Sequence, residues 1–277
     1  MLNSTFSKAI FGGFLLLFVA FPFTSYQHPQ NSNVLADDDT IACSVPQPPV
    51  ANRVRLNKNA VKFVSSYIKK NNEELVKIKE RSTTPFKTMD LVFKKYGLPL
   101  ELKYLAVIES ELNPAAVSRV GAAGPWQLMP VTAKILGLKV TRKNDERKQM
   151  VKSTNAAALY LRDLYTEFGD WLLVMAAYNC GPGPVYTAIR KSGSHNFWKL
   201  QEYLPGESRD HVKKFIATHY YFEGNGSATT LTKAENIRYN KLLSAASAKI
   251  VVPVPLSTAE IYKKEQTDLT ESVVYGY

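Results

Sequence analysis

The chain has 277 residues, 45% of them hydrophobic and 11% aromatic, which excludes a disordered polymer and allows one sizeable core with appendages or two small domains. Thirty-five Lys and Arg against 24 Asp and Glu give a formal charge of +11, a balance that favours anionic partners. The basic residues are dispersed, with no arginine-rich run and no nucleic-acid motif, so no nucleic-acid partner is expected and much of the charge reads as solvated surface.

The N-terminus reads as an export address. Lys8 precedes the apolar run AIFGGFLLLFVAFPF at 9–23, and polar TSYQHPQNSN follows. A short basic region, an apolar core and a polar exit make residues 1–26 a signal peptide, or an uncleaved anchor that gives membrane association. The run is short for a spanning helix of about 20 residues. Export to the periplasm or cell envelope follows. Thr40-Ile41-Ala42-Cys43 loosely resembles a lipid-attachment box but lies too far beyond the apolar run to serve as one. Residues 27–54, rich in Asn, Pro, Gln and Asp, read as a disordered linker.

From about residue 55 the apolar period is helical. Helices are predicted over NKNAVKFVSSYIKKN and ELVKIKER, then over PFKTMDLVFKKYG, which stops at Gly97. PLELKYLAVIESELN opens at Pro99 and ends before Pro114, while STNAAALYLRDLYTEFG takes Ser153 as its N-cap and Gly169 as its stop. DWLLVMAAYN is apolar nearly all round and is placed in the middle of the domain. GPVYTAIRKSG and ESRDHVKKFIATHYYFEG complete an all-α domain over 55–224, with no strand alternation. GNGSATT reads as a flexible break. The extension 225–277 carries one further helix, TKAENIRYNKLLSAASA, and the run KIVVPVPL, with no assigned role. Cys43 and Cys180 are the two cysteines. A bridge between them is permitted outside the cytoplasm, but Cys43 sits in the linker and a free thiol is expected. The four histidines are scattered without ligand spacing, so no metal is expected.

The chemistry concentrates in LAVIESELNPAAVSRVGAAGPWQLMP, residues 105–130. On a helix, Leu102, Leu105, Ala106 and Leu112 share the face of Glu109, so this carboxyl enters the core side or a cleft wall. Glu111 turns roughly 200° away and is predicted to be more solvated. Burial disfavours an ionised carboxyl, and an acid that keeps its proton can protonate the leaving oxygen of a glycosidic bond. The bland alternative makes Glu109 a capping residue or a buried ion-pair partner of Arg119 or Lys103. Periodicity alone does not choose between them. Gly121-Ala122-Ala123-Gly124 permits close backbone approach to a ligand, and Gln127 and Met129 follow in an otherwise apolar turn. Tyr178-Asn179, before Cys180-Gly181-Pro182-Gly183, suits hydrogen bonding to sugar hydroxyls and acetamido groups. Its alternative is helix C-capping by Asn179 and Gly181. Trp126, Trp171 and Trp198 read as core before sugar platforms.

The pattern E-S-x-L-N-P-x-A-x-S-x-x-G-A-x-G-x-x-Q-x-M-P, followed by A-Y-N-x-G, resembles the soluble lytic transglycosylase family, with its lysozyme-like helical domain. PWQLMP, the Asp145-Glu146-Arg147 triplet and LP-x-E-S-R at 204–209 are closest to its membrane-bound murein transglycosylase D branch. The resemblance covers about residues 85–222. It implies Glu109 as catalytic acid/base. It also implies Ser110, Ser118, Gln127, Met129, Tyr178 and Asn179 as substrate-binding residues, and Glu207 as either a contact or a structural partner of Arg209. The implied substrate is the peptidoglycan glycan strand, cut without cofactor by a non-hydrolytic route to a 1,6-anhydromuramyl product. A hydrolase of the same fold would need a second carboxylate, with Glu111, Asp163, Asp170 and Glu207 as candidates. A non-catalytic wall-binding protein would need none.

Overall fold

The first helical stretch is longer than its sequence pattern predicts. The two helices expected at 57–71 and 74–81 run on as one, α1 (Lys58–Arg81), capped by Asn57, whose side chain accepts from the Asn59 N–H. Asn71 does not interrupt it, because its amide bonds back to the Tyr67 carbonyl at 2.7 Å instead of competing with the helical ladder. The structure, a computed structural model, describes residues 54–249. The signal-peptide run, nearly all of the linker with Cys43, and the run at 250–256 lie outside the described residues.

α2 (Thr83–Tyr96) ends where predicted, with Gly97 in the left-handed region at φ 65°. The helix expected from Pro99 to Asn113 is broken. Leu100–Lys103 forms a 3-10 turn, and α3 (Tyr104–Ser110) stops at Glu111 and Leu112, both left-handed at φ 55° and 65°. α4 (Pro130–Ile135) is a short helix that the sequence reading did not place. α5 (Met150–Phe168) starts before Ser153, whose hydroxyl donates to the Gln149 carbonyl inside the first turn rather than capping it. Gly169 ends it as expected.

α6 (Trp171–Cys180) is the centre of the molecule, capped by Asp170, which accepts from the Leu172 and Leu173 N–H groups. Every residue from Trp171 to Ala177 is buried. Each leucine so removed from water contributes about 1.5–3 kcal/mol relative to exposure, so this segment anchors the fold. α7 (Pro182–Ser192), the single turn α8 (Phe197–Leu200) and α9 (Gly206–Glu223) follow. α5, α7 and α9 pack around α6, and α9 also runs along α1 and the end of α3. Among the described residues the architecture is all-α. Between residues 117 and 145, β pairing is limited to isolated bridges, such as Val117 with Ala123 and Ala123 with Leu128. A first unit ends at Ile237 and holds every element of the site. The remainder of α10 (Lys233–Lys249) belongs to a second unit.

The segment 224–230, read from sequence as a flexible break, is ordered by its own polar groups. Ser227 closes a capping box over a 3-10 turn in which Thr229 and Thr230 are buried. A side chain at Gly226 would meet Tyr220 Oη and Val54 Cγ1 at 2.6 Å, so any larger residue there would have to displace those side chains. Ser227 Oγ lies 3.0 Å from His219 Nε2. Burial pushes the His219 imidazole down to about 4, against the opposing charge of Glu223. The folded state refuses a proton that the unfolded chain accepts below its ordinary value near 6.5. Stability is therefore full above about pH 6.5 and falls as pH drops toward 4, by roughly 3 kcal/mol at the lower end. Urea midpoints at pH 7 and pH 4.5 should separate less in His219→Gln than in the wild type. Equal separations would remove His219 as the cause.

Candidate active site

Glu109 stands on the last turn of α3, with its side chain 15% exposed. Leu102, Leu105, Ala106 and Leu112 are buried along its stripe, as periodicity predicts, so a single carboxyl interrupts an apolar face. Neither expected cation pairs with it. Lys103 Nζ lies 3.0 Å from Asp90, and Arg119 is exposed. The partner comes instead from α9: His211 Nε2 is 2.9 Å from Glu109 Oε1, with the imidazole side chain only 8% exposed.

Glu111 occupies different ground because α3 has already ended. Its left-handed backbone turns the chain toward α1, where Arg81 Nη2 donates to the Glu111 carbonyl at 3.2 Å. The carboxyl is pushed up by burial first, then by the charge of Glu74 and a hydrogen bond with it, against Arg81 and Lys77. Its side chain is 35% exposed, more than that of Glu109, as expected, though through a chain reversal rather than helical pitch. Glu109, Ser110, Glu111 and Asn113 line a cavity of about 280 Å³, and α1 closes its other side with Tyr67, Asn71 and Glu74.

The loop after α3 is built from backbone pairing. Ser110 Oγ donates to the Pro125 carbonyl at 2.8 Å, tying the end of α3 to the glycine turn. Ser118 Oγ accepts from the Ala122 N–H at 3.0 Å. Gln127 sits at φ 44°, and its amide donates to the Gly124 carbonyl at 2.9 Å. Met129 is exposed. Beneath the turn lies buried Arg147, whose Nη1 donates to the Gly121 and Leu128 carbonyls at 2.6 and 3.0 Å. Asp145 holds the other side of that guanidinium at 2.7 Å, and its carboxyl is kept below the usual range chiefly by this hydrogen bond. The 145–147 triplet thus acts as a support that organises the turn from behind.

α6 delivers Tyr178 and Asn179. The Tyr178 hydroxyl donates to the Trp126 carbonyl at 2.7 Å, and burial, with the charge of Glu109 adding, raises the phenol well above its ordinary value. Ser208 of α9 donates to Asn179 Oδ1 at 2.6 Å, which leaves the amide nitrogen as the end able to serve a ligand. Asn179 remains helical while Gly181 takes the positive φ, so Asn179 is not the left-handed cap. Glu207 is exposed in the first turn of α9, where the helix dipole favours an acid. Arg209 bonds Glu202 at 2.7 Å and not Glu207. Trp126 is fully buried and bonded to Thr154, Trp171 stacks on Tyr165, and Trp198 packs against the core, as their core reading predicts. The Cys180 thiol reaches the Ala176 carbonyl at 3.2 Å.

Sequence reasoning passed over two components of the site. The α1 wall with Glu74 lies far from the motif and has an ordinary amphipathic pattern. His211 was weighed only against metal spacing. Its signal was its place on the buried face of α9, one turn after Ser208 and one before Phe215.

Residues 93–201 match the family described as the transglycosylase SLT domain. The chain is 43% identical over 129 residues to membrane-bound lytic murein transglycosylase D of Escherichia coli (strain K12), covering 45% of this chain and 28% of that relative. It is 34% identical over 143 residues to soluble lytic murein transglycosylase of Salmonella typhimurium, covering 47% and 22%. It thus spans between about a fifth and little more than a quarter of the length of these relatives. Among solved structures, the 70 kDa soluble lytic transglycosylase of Escherichia coli aligns with a TM-score of 0.44 and 30% identity, covering 52% of this chain and 26% of that one.

Proposed function

We propose, from the transglycosylase SLT domain carried by residues 93–201, that this chain cuts peptidoglycan glycan strands without water and acts in the cell envelope. The observation that supports it best is the mostly buried carboxyl of Glu109, hydrogen-bonded to His211 and close enough to Tyr178 for its charge to act on that phenol. Glu109 protonates the oxygen between N-acetylmuramic acid and N-acetylglucosamine, and that bond breaks. The substrate's acetamido group stabilises the electron-poor anomeric carbon, and the Nδ2 end of Asn179, whose Oδ1 is taken by Ser208, is proposed to hold that group. Glu109, now a carboxylate, takes the proton of the muramyl O6, which closes the 1,6-anhydro ring. Proton and charge balance over the cycle with one carboxyl. Ser118, Gln127 and Met129 shape the adjoining turn, and Ser110 supports it.

A hydrolytic reading has one observation in its favour: Glu111 and Glu74 share the cavity with Glu109. The other sequence candidates are engaged elsewhere. Asp170 caps α6 and also accepts from Lys233 N–H, Asp163 pairs with Arg162 on the surface, and Glu207 is exposed. Glu111 is already engaged, sharing hydrogen bonding with Glu74 and pairing with Arg81 at 3.6 Å, so its carboxyl is not free to orient a water. Mass analysis of muropeptides released from purified sacculi decides between them. Anhydro-muropeptides are expected, and reducing-end products would assign hydrolysis instead.

A further inference from the structure

We infer that His211 is a neutral imidazole, protonated on Nε2, that holds Oε1 of Glu109 and so reserves Oε2 as the oxygen that carries the catalytic proton. The inference rests on Glu109 acting as proposed above, but it concerns a residue outside the matched segment 93–201.

Three observations carry it. His211 Nε2 is 2.9 Å from Glu109 Oε1, a hydrogen bond made between two helices more than a hundred residues apart in sequence. The imidazole is nearly enclosed. Its second nitrogen, Nδ1, is buried with no protein partner. A buried N–H without an acceptor is rare and costly, whereas a buried lone pair without a donor is tolerated better. The Nδ1–H tautomer and the imidazolium would each bury such an N–H, while the Nε2–H tautomer buries only a lone pair. The same tautomer donates to Oε1 in both states of Glu109, as carbonyl oxygen of the acid and as carboxylate oxygen of the base. The proton therefore resides on Oε2, the oxygen that His211 does not hold.

The bond also changes strength during the reaction. As Glu109 yields its proton to the glycosidic oxygen, negative charge grows on the carboxyl, and an N–H already aimed at Oε1 meets it without reorganisation. Such a contact is tighter in the transition state than in the ground state, so it acts on kcat more than on KM. His211 works through Glu109 and is a positioning residue.

The test combines spectroscopy with two variants. In the full chain labelled with 15N-histidine, the His211 ring should show a proton on Nε2 and a lone pair on Nδ1 at working pH. A proton on Nδ1, or an imidazolium, would overturn the assignment. His211→Gln, whose amide nitrogen can reach the Nε2 position, should keep kcat on solubilised glycan strands within about threefold. His211→Phe should lower kcat by about tenfold or more with KM little changed, the size expected for one hydrogen bond to a charged group. A Phe variant as fast as the wild type, or a Gln variant as slow as Phe, would also overturn it. If the Phe variant does not fold, the wild-type spectrum and the Gln variant still decide. Should the wild type release no glycan product at all, the proposed reaction fails while the tautomer is still read from the spectrum.

Discussion

Replacing Glu109 by Gln should slow glycan-strand cleavage by about 10²–10⁴-fold, the range for loss of a general acid/base. The upper part of that range is expected because, in the proposed reaction, one group serves both proton transfers. The substitution is close to isosteric, and its carboxamide oxygen can still accept from His211 Nε2, so the packing of Leu102, Leu105 and Ala106 around it need not change. Thermal unfolding and binding to insoluble sacculi should match the wild type. That pairing separates catalysis from adhesion: a wall-binding protein without enzymatic activity would show no release by either form. Full activity in the variant would remove Glu109 from the mechanism, whatever the product.

A comparable loss, of stability rather than rate, is expected for Gly124→Ala. Gly124 lies at φ +79°, and a Cβ there would stand 1.8 Å from the Arg147 carbonyl oxygen and 2.6 Å from its carbon. Backbone cannot swing aside as a long side chain can. Accommodation would drag away the peptide that follows the guanidinium supporting the Gly121 and Leu128 carbonyls. The cost should reach about 4 kcal/mol or more, the class reserved for overpacking and strained backbone. For a domain of this size that corresponds to a fall in Tm of about 10 °C or more, or to insoluble protein. Gly121→Ala supplies the control, because it shares the left-handed conformation (φ +86°) but meets only Pro130 Cγ at 3.9 Å. It should cost about 1–2 kcal/mol from backbone strain alone. Equal losses at the two glycines would show that φ, and not the approach of Arg147, sets the requirement.

The parts of this molecule legible in its sequence are those encoded locally. Gly97, Gly169 and Gly224 end helices where predicted because a left-handed stop is a property of one residue and its neighbours. The buried centre at Trp171–Ala177 was readable from an apolar run with no polar face. The inward face of Glu109 followed from three and four residue spacing over barely two turns. Misreadings arose where a polar residue had a second local partner to choose, or where distant groups decide. Ser153 looks like a cap, yet α5 begins earlier, so its hydroxyl turns inward to the Gln149 carbonyl. The polar segment at 224–230 resembles a linker, but Ser227 closes on Thr229 and Thr230 and approaches His219. Glu111 and Leu112 carry no signature of a left-handed turn, since neither is a residue that favours it. His211 meets Glu109 across the α3–α9 contact, and no spacing within either helix announces that meeting.

The reversal at Glu111 and Leu112 has a bearing on where the candidate site begins along the chain. By ending α3 immediately after Glu109 and Ser110, it sends the chain back against α1, so that Tyr67, Asn71 and Glu74 become part of the cavity's perimeter. These residues precede the stretch 93–201 that the family pattern delimits, while His211 and Ser208 follow it. A fragment trimmed to that stretch would keep the signature and lose both the cavity's far side and the groups that orient Glu109 and Asn179. In this chain the residues that match the family and those that build the candidate site have different boundaries, and the second set runs from α1 through α9.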